Sequence, residues 1–137
     1  MPRQLRLRVP IIPQPWRGTE QTKKGFRFKP RRVRDYQAAI RDHWQRNHPD
    51  HVPFSGPLRL EVTFIFPRPK GMMWKKKPMP RVPHTHRPDR TNLIKAVEDA
   101  LNGIAWRDDA QVYTGNADKY IAGGEDQPGI IIHIEED

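Results

Sequence analysis

The segment RPDRTNLIKAVEDALNGIAWRDDAQV, residues 87–112, predicts a helix followed by an acidic turn. The helix covers residues 89–103, because Asp89 or Thr91 can cap its amino end and Gly103 suits the left-handed residue that follows a helix. Apolar residues at three- and four-residue steps predict one buried face, which consists of Leu93, Ala96, Val97, Ala100 and Leu101.

Strand and helix patterns on both sides of this segment place it in a small α+β domain. LRLEVTFIF alternates apolar and polar residues, which predicts a half-buried strand, while RRVRDYQAAIRDHWQRN repeats apolar residues at helical spacing. The predicted elements are strand 5–9, helix 31–47, strand 58–66, helix 89–103, strand 104–106, strand 111–121 and strand 129–134. Strands separated by two helices predict a single domain over residues 1–137, with a small mixed β-sheet and two main helices.

Two long basic loops interrupt this pattern, at about residues 10–30 and 67–88. The first combines cations with Trp16, Phe26 and Phe28, and this mixture suits contacts to phosphates and bases. A hairpin that packs its aromatic rings inward is an equal alternative for the first loop. The second loop leads directly into the acidic segment.

The charge of the chain favours a polyanionic partner. The 137 residues carry a formal net charge of +9, and residues 1–34 hold eleven Lys and Arg against one acid, Glu20. Nucleic acid fits better than anionic lipid, because no basic amphipathic helix with a broad apolar face is seen. A purely solubilising role for the cations is the alternative. The sequence has no cysteine, no membrane-span pattern and no signal-peptide pattern, so we expect a cytoplasmic protein.

Carboxylates are concentrated in residues 87–112 despite the positive charge of the chain. Asp89 starts the predicted helix, and Asp108 and Asp109 lie in the turn after it. If the chain returns along the helix, these side chains meet and form an oxygen-ligand site suited to Mg²⁺, with Mn²⁺ as an alternative. Next to DNA, such an ion activates water and neutralises the scissile phosphate.

Lys95 lies about one turn from the start of the predicted helix, where it could stabilise charge on a phosphate in the transition state. The structural alternative gives all of these residues ordinary roles. Asp89 then caps the helix, Lys95 and Asp99 form an i,i+4 pair, and Asp108 and Asp109 shape the turn. Spacing alone does not decide between the two interpretations.

The same segment resembles the signature of the RusA family of Holliday-junction resolvases, which phages and prophages often encode. The family pattern is approximately PD-x-D-N-L-x-K-A-x-x-D-A-L, followed after a short gap by D-D-[AS]-Q-[VI]. The matching positions in this chain are Pro88–Asp89, Asn92–Leu93, Lys95, Asp99–Leu101 and Asp108–Val112. The amino-terminal strand, basic loop, helix and long strand that precede the motif also agree with the layout of that family.

The resemblance implies a homodimeric, Mg²⁺-dependent endonuclease, a hydrolase of DNA recombination and repair that cuts four-way junctions by paired symmetric nicks. It implies catalytic and metal-binding roles for Asp89 and Asp109, which Asp108 shares, and a phosphate-stabilising role for Lys95. Two symmetric incisions need two sites related by a two-fold axis, which is a physical reason for a dimer. The residues expected to bind DNA are Lys23, Lys24, Arg27, Lys29, Lys75, Lys76, Lys77 and Arg87.

One position departs from the family pattern, because Thr91 stands where the family has its second carboxylate. Loss of a carboxylate weakens Mg²⁺ binding. Either Thr91 acts as a ligand through water, or Asp99 compensates, or the protein binds junctions and cuts poorly. We expect an active enzyme, since the other motif residues are intact. The alternative functions are a non-catalytic DNA- or RNA-binding protein and a branched-DNA nuclease with looser selectivity.

Overall fold

Strand β4 (Leu58–Phe66), predicted from its alternating pattern, lies at the centre of a five-stranded sheet. The sheet order is β1 (Arg3–Val9), β7 (Gly129–Glu136), β4, β6 (Val112–Ile121) and β5 (Val82–Pro83). Strands β4 and β6 are parallel, and the other neighbouring strands are antiparallel, so the sheet is mixed as predicted. The structure is a computed structural model that describes residues 3–16 and 20–137. Arg17, in the first basic loop, lies outside the described residues.

Two helices, α1 (Arg31–Asn47) and α2 (Arg90–Leu101), pack on one face of this sheet. All five residues of the apolar face predicted for α2 are buried, and Gly103 adopts the expected positive φ of 81° after the helix. In α1 the predicted stripe is also buried, namely Val33, Tyr36, Ile40 and Trp44. The helices and the alternating residues of the strands form one apolar core, which confirms the small α+β fold.

The strand predicted at residues 104–106 is wrong. These residues form a turn whose backbone N–H groups at Ile104 and Ala105 donate to the carbonyl of Leu101. Trp106 makes only isolated bridges, to Phe54 and to the end of α2, and its side chain is fully buried. The apolar run therefore reflects burial under the end of α2 rather than a place in the sheet.

The basic loops contain more regular structure than the sequence predicts. In the first loop, β2 (Glu20–Gln21) and β3 (Arg27–Phe28) pair as a short antiparallel hairpin. The hairpin alternative is therefore correct for the backbone, but Phe26 is 70% exposed and Phe28 is 40% exposed, so these rings do not pack inward. In the second loop, β5 joins the sheet beside the end of β6. No helix in the described part of the chain is long and apolar enough to cross a membrane.

Candidate functional site

The three carboxylates predicted to hold the metal, Asp89, Asp108 and Asp109, lie beyond the two ends of α2. Asp89 occupies the N-cap position, while Asp108 and Asp109 follow the carboxyl end. Strand β6 begins directly after them and runs back along the helix, so that the Arg90 guanidinium donates to the carbonyl of Ala117 at 3.4 Å. The chain does return along α2, as the sequence analysis supposed. The acidic turn nevertheless stays at the far end of a 12-residue helix, which is about 18 Å long.

At the amino end of α2, Asp89 borders an open cleft of about 680 Å³. The Asp89 side chain is exposed and makes no capping hydrogen bond, so the structural alternative of a capping carboxylate is not realised. The cleft also contains the cations Arg32 and Arg87 and the aromatic side chains of Trp16 and Phe66. The cations and rings of this cleft suit the approach of a phosphate and its neighbouring base.

Lys95 is exposed one to two turns further along α2. Its ammonium lies 3.7 Å from the centroid of the Trp16 ring, a cation–π contact, and the Trp16 backbone N–H donates to the carbonyl of Asn92 at 2.8 Å. Lys95 therefore does not form the predicted ion pair with Asp99. The contact holds its charge on the outer side of the helix, about 9 Å along the helix axis from Asp89.

At the carboxyl end, the acidic turn is held by its own hydrogen bonds. The Asp108 carboxylate accepts from the backbone N–H of Ala110 at 3.0 Å, and the Gln111 side chain accepts from the backbone N–H of Asp108 at 2.8 Å. Asp109 accepts a 2.7 Å hydrogen bond from the buried indole N–H of Trp106. Asp108 thus shapes the turn, as the structural alternative predicts, while Asp109 is oriented by a fixed donor.

A further carboxylate, Glu98, belongs to this end of the helix, and its place in the sequence pattern predicts no role for it. Burial raises the pKa of Glu98, and the negative charge of Asp109 raises it further. Burial likewise raises the pKa of Asp109, opposed by the Trp106 hydrogen bond and reinforced by the charges of Asp99 and Asp108. These shifts come mainly from burial, and the charges of the neighbouring carboxylates add to them.

Asp99 is neutralised by a network between the helices. One of its oxygens accepts from the Lys29 ammonium and from the Gln37 amide, both at 2.8 Å. The buried Gln37 also donates to the carbonyl of Ala96 at 3.0 Å. Burial alone would raise the pKa of Asp99, but the two hydrogen bonds and the positive charges of Lys29 and Arg41 outweigh it and hold that pKa below its usual value. The Lys29 ammonium therefore connects the start of α1 to α2 through Asp99. The predicted contact of Lys29 with DNA stays a prediction.

These positions do not fit the Mg²⁺ site that the sequence analysis predicted within one chain. Residues 3–16 and 20–137 contain no group of three or more His, Asp or Glu side chains placed to hold a metal. Thr91 lies in a separate groove with Ile94 and Ala117, away from the cleft of Asp89. Asp109 lies near Glu98 and Asp99 in the carboxyl-terminal part of α2, whereas Asp89 precedes the first residue of the helix. Asp99 already has its partners.

The remaining predicted DNA contacts lie on exposed surface. Lys23, Lys24 and Arg27 belong to the β2–β3 hairpin, and Lys75, Lys76 and Lys77 belong to the second basic loop. The Lys77 ammonium lies 4.1 Å from the Trp74 ring. Arg32 was missed, because nothing in the sequence signals that the start of α1 lies beside a residue 57 positions later.

Comparison with known proteins agrees with the motif in the sequence. The family profile described as Endodeoxyribonuclease RusA matches residues 9–135. A curated relative, "Uncharacterized protein YqaN" of Bacillus subtilis (strain 168), is 29% identical over 94 residues. That alignment covers 65% of this chain and 64% of the relative, so the chain spans less than two thirds of the relative's length. Because the profile covers nearly the whole chain and both ends of α2, the chain belongs to the RusA endodeoxyribonuclease family.

Proposed function

We propose that the protein is a Mg²⁺-dependent endonuclease, with Mn²⁺ as an alternative ion, that resolves four-way DNA junctions by paired symmetric nicks. The observation that carries this proposal is the family match over residues 9–135. Within it, every position of the motif holds the family residue except position 91, which is Thr91. The exposed basic hairpin and loop support it, because they offer cations and aromatic rings to a branched DNA backbone.

Each site residue has a distinct part in this proposal. Asp89 and Asp109 hold the ion, since the Asp89 carboxylate makes no cap and the Trp106 indole fixes the orientation of Asp109. Lys95 offers an exposed ammonium to a phosphate oxygen. Asp108 holds the turn that presents Asp109. The bound ion would supply a water nucleophile and neutralise charge at the scissile phosphate.

The proposed enzyme is a homodimer, and the geometry of α2 supports this as strongly as the need for two incisions. Asp89 lies in a cationic cleft at the amino end of α2, whereas Asp109 and Glu98 lie in a group of carboxylates towards its carboxyl end. One chain therefore supplies the two halves of a site at separate places. A second chain related by a two-fold axis can bring the amino end of one helix to the carboxyl end of the other.

Cleavage of synthetic DNA tests the proposal. Four-way, flap and duplex substrates are incubated with Mg²⁺, with Mn²⁺ and with EDTA, using the wild type and Asp109→Asn. The substitution keeps an oxygen acceptor for Trp106 and removes the charge, so we expect metal-dependent junction cleavage that Asp109→Asn abolishes. Asp35→Asn, an exposed change on α1, is the matched control and should cut normally.

The outcomes separate the three candidate functions. Paired nicks confined to the four-way junction support a resolvase, and equal cutting of flaps supports a less selective branched-DNA nuclease. Tight junction binding without cleavage in either metal identifies a non-catalytic binding protein. Cleavage that persists in EDTA and in Asp109→Asn rules out the proposed site.

A further inference from the structure

Residues 84–89 connect the short strand β5 to α2 without regular secondary structure, and they end at Asp89. The Asp89 carboxylate makes no capping hydrogen bond, so its direction depends on how the backbone before it is held. Pro88, directly before it, has no backbone N–H and can hydrogen-bond to a neighbouring element only through its carbonyl. The contact of this carbonyl therefore helps to set the direction of a carboxylate of the proposed site.

The side chain of Lys119, near the end of β6, supplies that contact. Its ammonium donates to the carbonyls of Pro88 and His86, both at 2.6 Å. Within the described part of the chain, these are the only hydrogen bonds that join residues 85–88 to another element. The Pro88 carbonyl and the Asp89 N–H belong to one planar peptide group, so Lys119 fixes the plane from which Asp89 begins.

The two sides of the segment are held by further contacts, which leave its middle to Lys119. The His84 N–H donates to the Lys119 carbonyl at 3.0 Å, and the His84 ring stacks on Phe66 with 4.4 Å between the ring centroids. Phe66 also lines the cleft of Asp89. On the other side, the Asp89 carbonyl accepts from the Leu93 N–H at 3.1 Å, the first hydrogen bond of α2. The amides of His84 and Leu93 thus report on the two sides of the part that Lys119 holds.

The charge of Lys119 has no carboxylate partner among the ion pairs of the described residues. The side chain is half-buried, and its two hydrogen bonds have a charged donor, which makes them stronger than bonds between neutral groups. A lysine that only balanced surface charge would lie beside an acid. The position of this ammonium is therefore set by the two carbonyls that precede Asp89.

Arg68 offers a matched comparison within the same long loop. Its guanidinium donates to the carbonyls of Met72, Pro80 and Ala122 at 2.7, 2.9 and 3.2 Å. It thus joins the loop to the residue after β6 by the same chemistry that Lys119 uses, but its acceptors in the loop precede residues 84–89. A change at Arg68 therefore loosens the loop without removing a contact next to Asp89.

We propose that Lys119 is a positioning residue, which holds the Asp89 carboxylate at the cleft by fixing the two carbonyls before it. In this role Lys119 contacts neither the ion nor the DNA and acts only through the backbone of residues 86–88. The inference rests on the proposed function in so far as Asp89 binds the ion. The holding of the segment rests on the hydrogen bonds alone.

Residue-resolved amide hydrogen exchange tests the holding of the segment without a nuclease assay. Lys119→Met keeps the apolar stem and removes the ammonium, so the His84 and Leu93 amides should exchange at least about ten-fold faster while the amides of β4 keep the wild-type rate. Lys119→Arg restores a charged donor and should stay within about three-fold of the wild type. Arg68→Met, the matched control, should leave both amides unchanged.

Two exchange results overturn the inference. Unchanged exchange at His84 and Leu93 in Lys119→Met would show that the ammonium does not hold the segment. Equal acceleration of these two amides and those of β4 would show that Lys119 only stabilises the fold.

The requirement for Mg²⁺ tests the positioning of Asp89. At a saturating concentration of four-way junction, Lys119→Met should need about ten-fold more Mg²⁺ for half-maximal cleavage, the scale of losing a group that orients a metal ligand, and its maximal rate should stay within about three-fold. Lys119→Arg and Arg68→Met should keep the wild-type requirement. An unchanged requirement in Lys119→Met overturns the inference even if the wild type cuts junctions. If the wild type cuts no DNA, the proposed function fails, and the exchange at His84 and Leu93 then supports or overturns the holding of the segment by Lys119.

Discussion

The two ends of α2 differ in charge and in burial. The amino end presents one exposed carboxylate, Asp89, to a cleft that contains Arg32 and Arg87. The carboxyl end gathers several carboxylates, of which Glu98 and Asp109 are half-buried and have raised pKa values. The first end combines one carboxylate with two cations, whereas the second combines several carboxylates with the ammonium of Lys29. The two ends of α2 therefore differ in what they present, an exposed carboxylate beside cations at one and half-buried carboxylates at the other.

The largest expected effect comes from removing the carboxylate of the amino end. Asp89→Asn should lower junction cleavage by about a thousand-fold, the scale of losing a group that acts in the transition state. Its thermal unfolding should be unchanged, because Asp89 makes no capping hydrogen bond. Single-turnover cleavage and calorimetry measure the two effects. A lower melting temperature with normal cleavage would show that Asp89 is a structural residue.

At the carboxyl end, Asp99→Asn should lower the stability of the protein and leave its cleavage activity nearly unchanged, the opposite of Asp89→Asn. The substitution removes the charge that binds Lys29 and weakens the network with Gln37, so stability should fall by about 1 kcal/mol for this partly exposed group. Cleavage should stay within a factor of about three, because this carboxylate already has two partners and supplies no ligand. Urea unfolding and the junction assay provide the test. Abolished cleavage with normal stability would make Asp99 the compensating ligand.

The smallest effect is expected at Thr91, where the family has a carboxylate. Thr91 is exposed and lines the groove between α2 and β6, two residues from Asp89, so Thr91→Asp adds a charge near the site without disturbing the core. We expect the Mg²⁺ concentration for half-maximal cleavage to fall about three-fold, since carboxylate count tunes cation affinity. Thr91→Asn is the uncharged control. An unchanged metal dependence in Thr91→Asp would show that position 91 supplies no ligand.

Much of the fold could be predicted from local patterns. The alternation of β4 and the helical stripes of α1 and α2 identify their buried faces, because each element buries one side against the same core. The turn at residues 104–106 could not be predicted, since a short apolar run looks the same in a strand and in a buried turn. Its apolar side chains are buried against Phe54, which is distant in the sequence, and against the end of α2. The second contact forms only because the chain reverses direction after the helix.

The site was predicted less completely than the fold. The motif identifies Asp89, Lys95 and Asp109 and leads to the family, but the helix that carries the motif also holds its two ends apart. Sequence spacing fixes that separation along one helix and says nothing about a second chain. Partners from distant segments, such as Lys29 for Asp99 and Arg32 in the cleft, have no local signal.

Subunit complementation tests the central claim most directly. Asp89→Asn and Asp109→Asn chains, each inactive alone, are co-expressed with different tags and the mixed dimer is purified. If the site combines Asp89 of one subunit with Asp109 of its partner, each mixed dimer has one intact site. It should then nick a four-way junction on one strand at about half the wild-type rate per dimer, without the paired second cut. A mixed dimer as inactive as its two parents would contradict the account, because every site would then lie within a single chain.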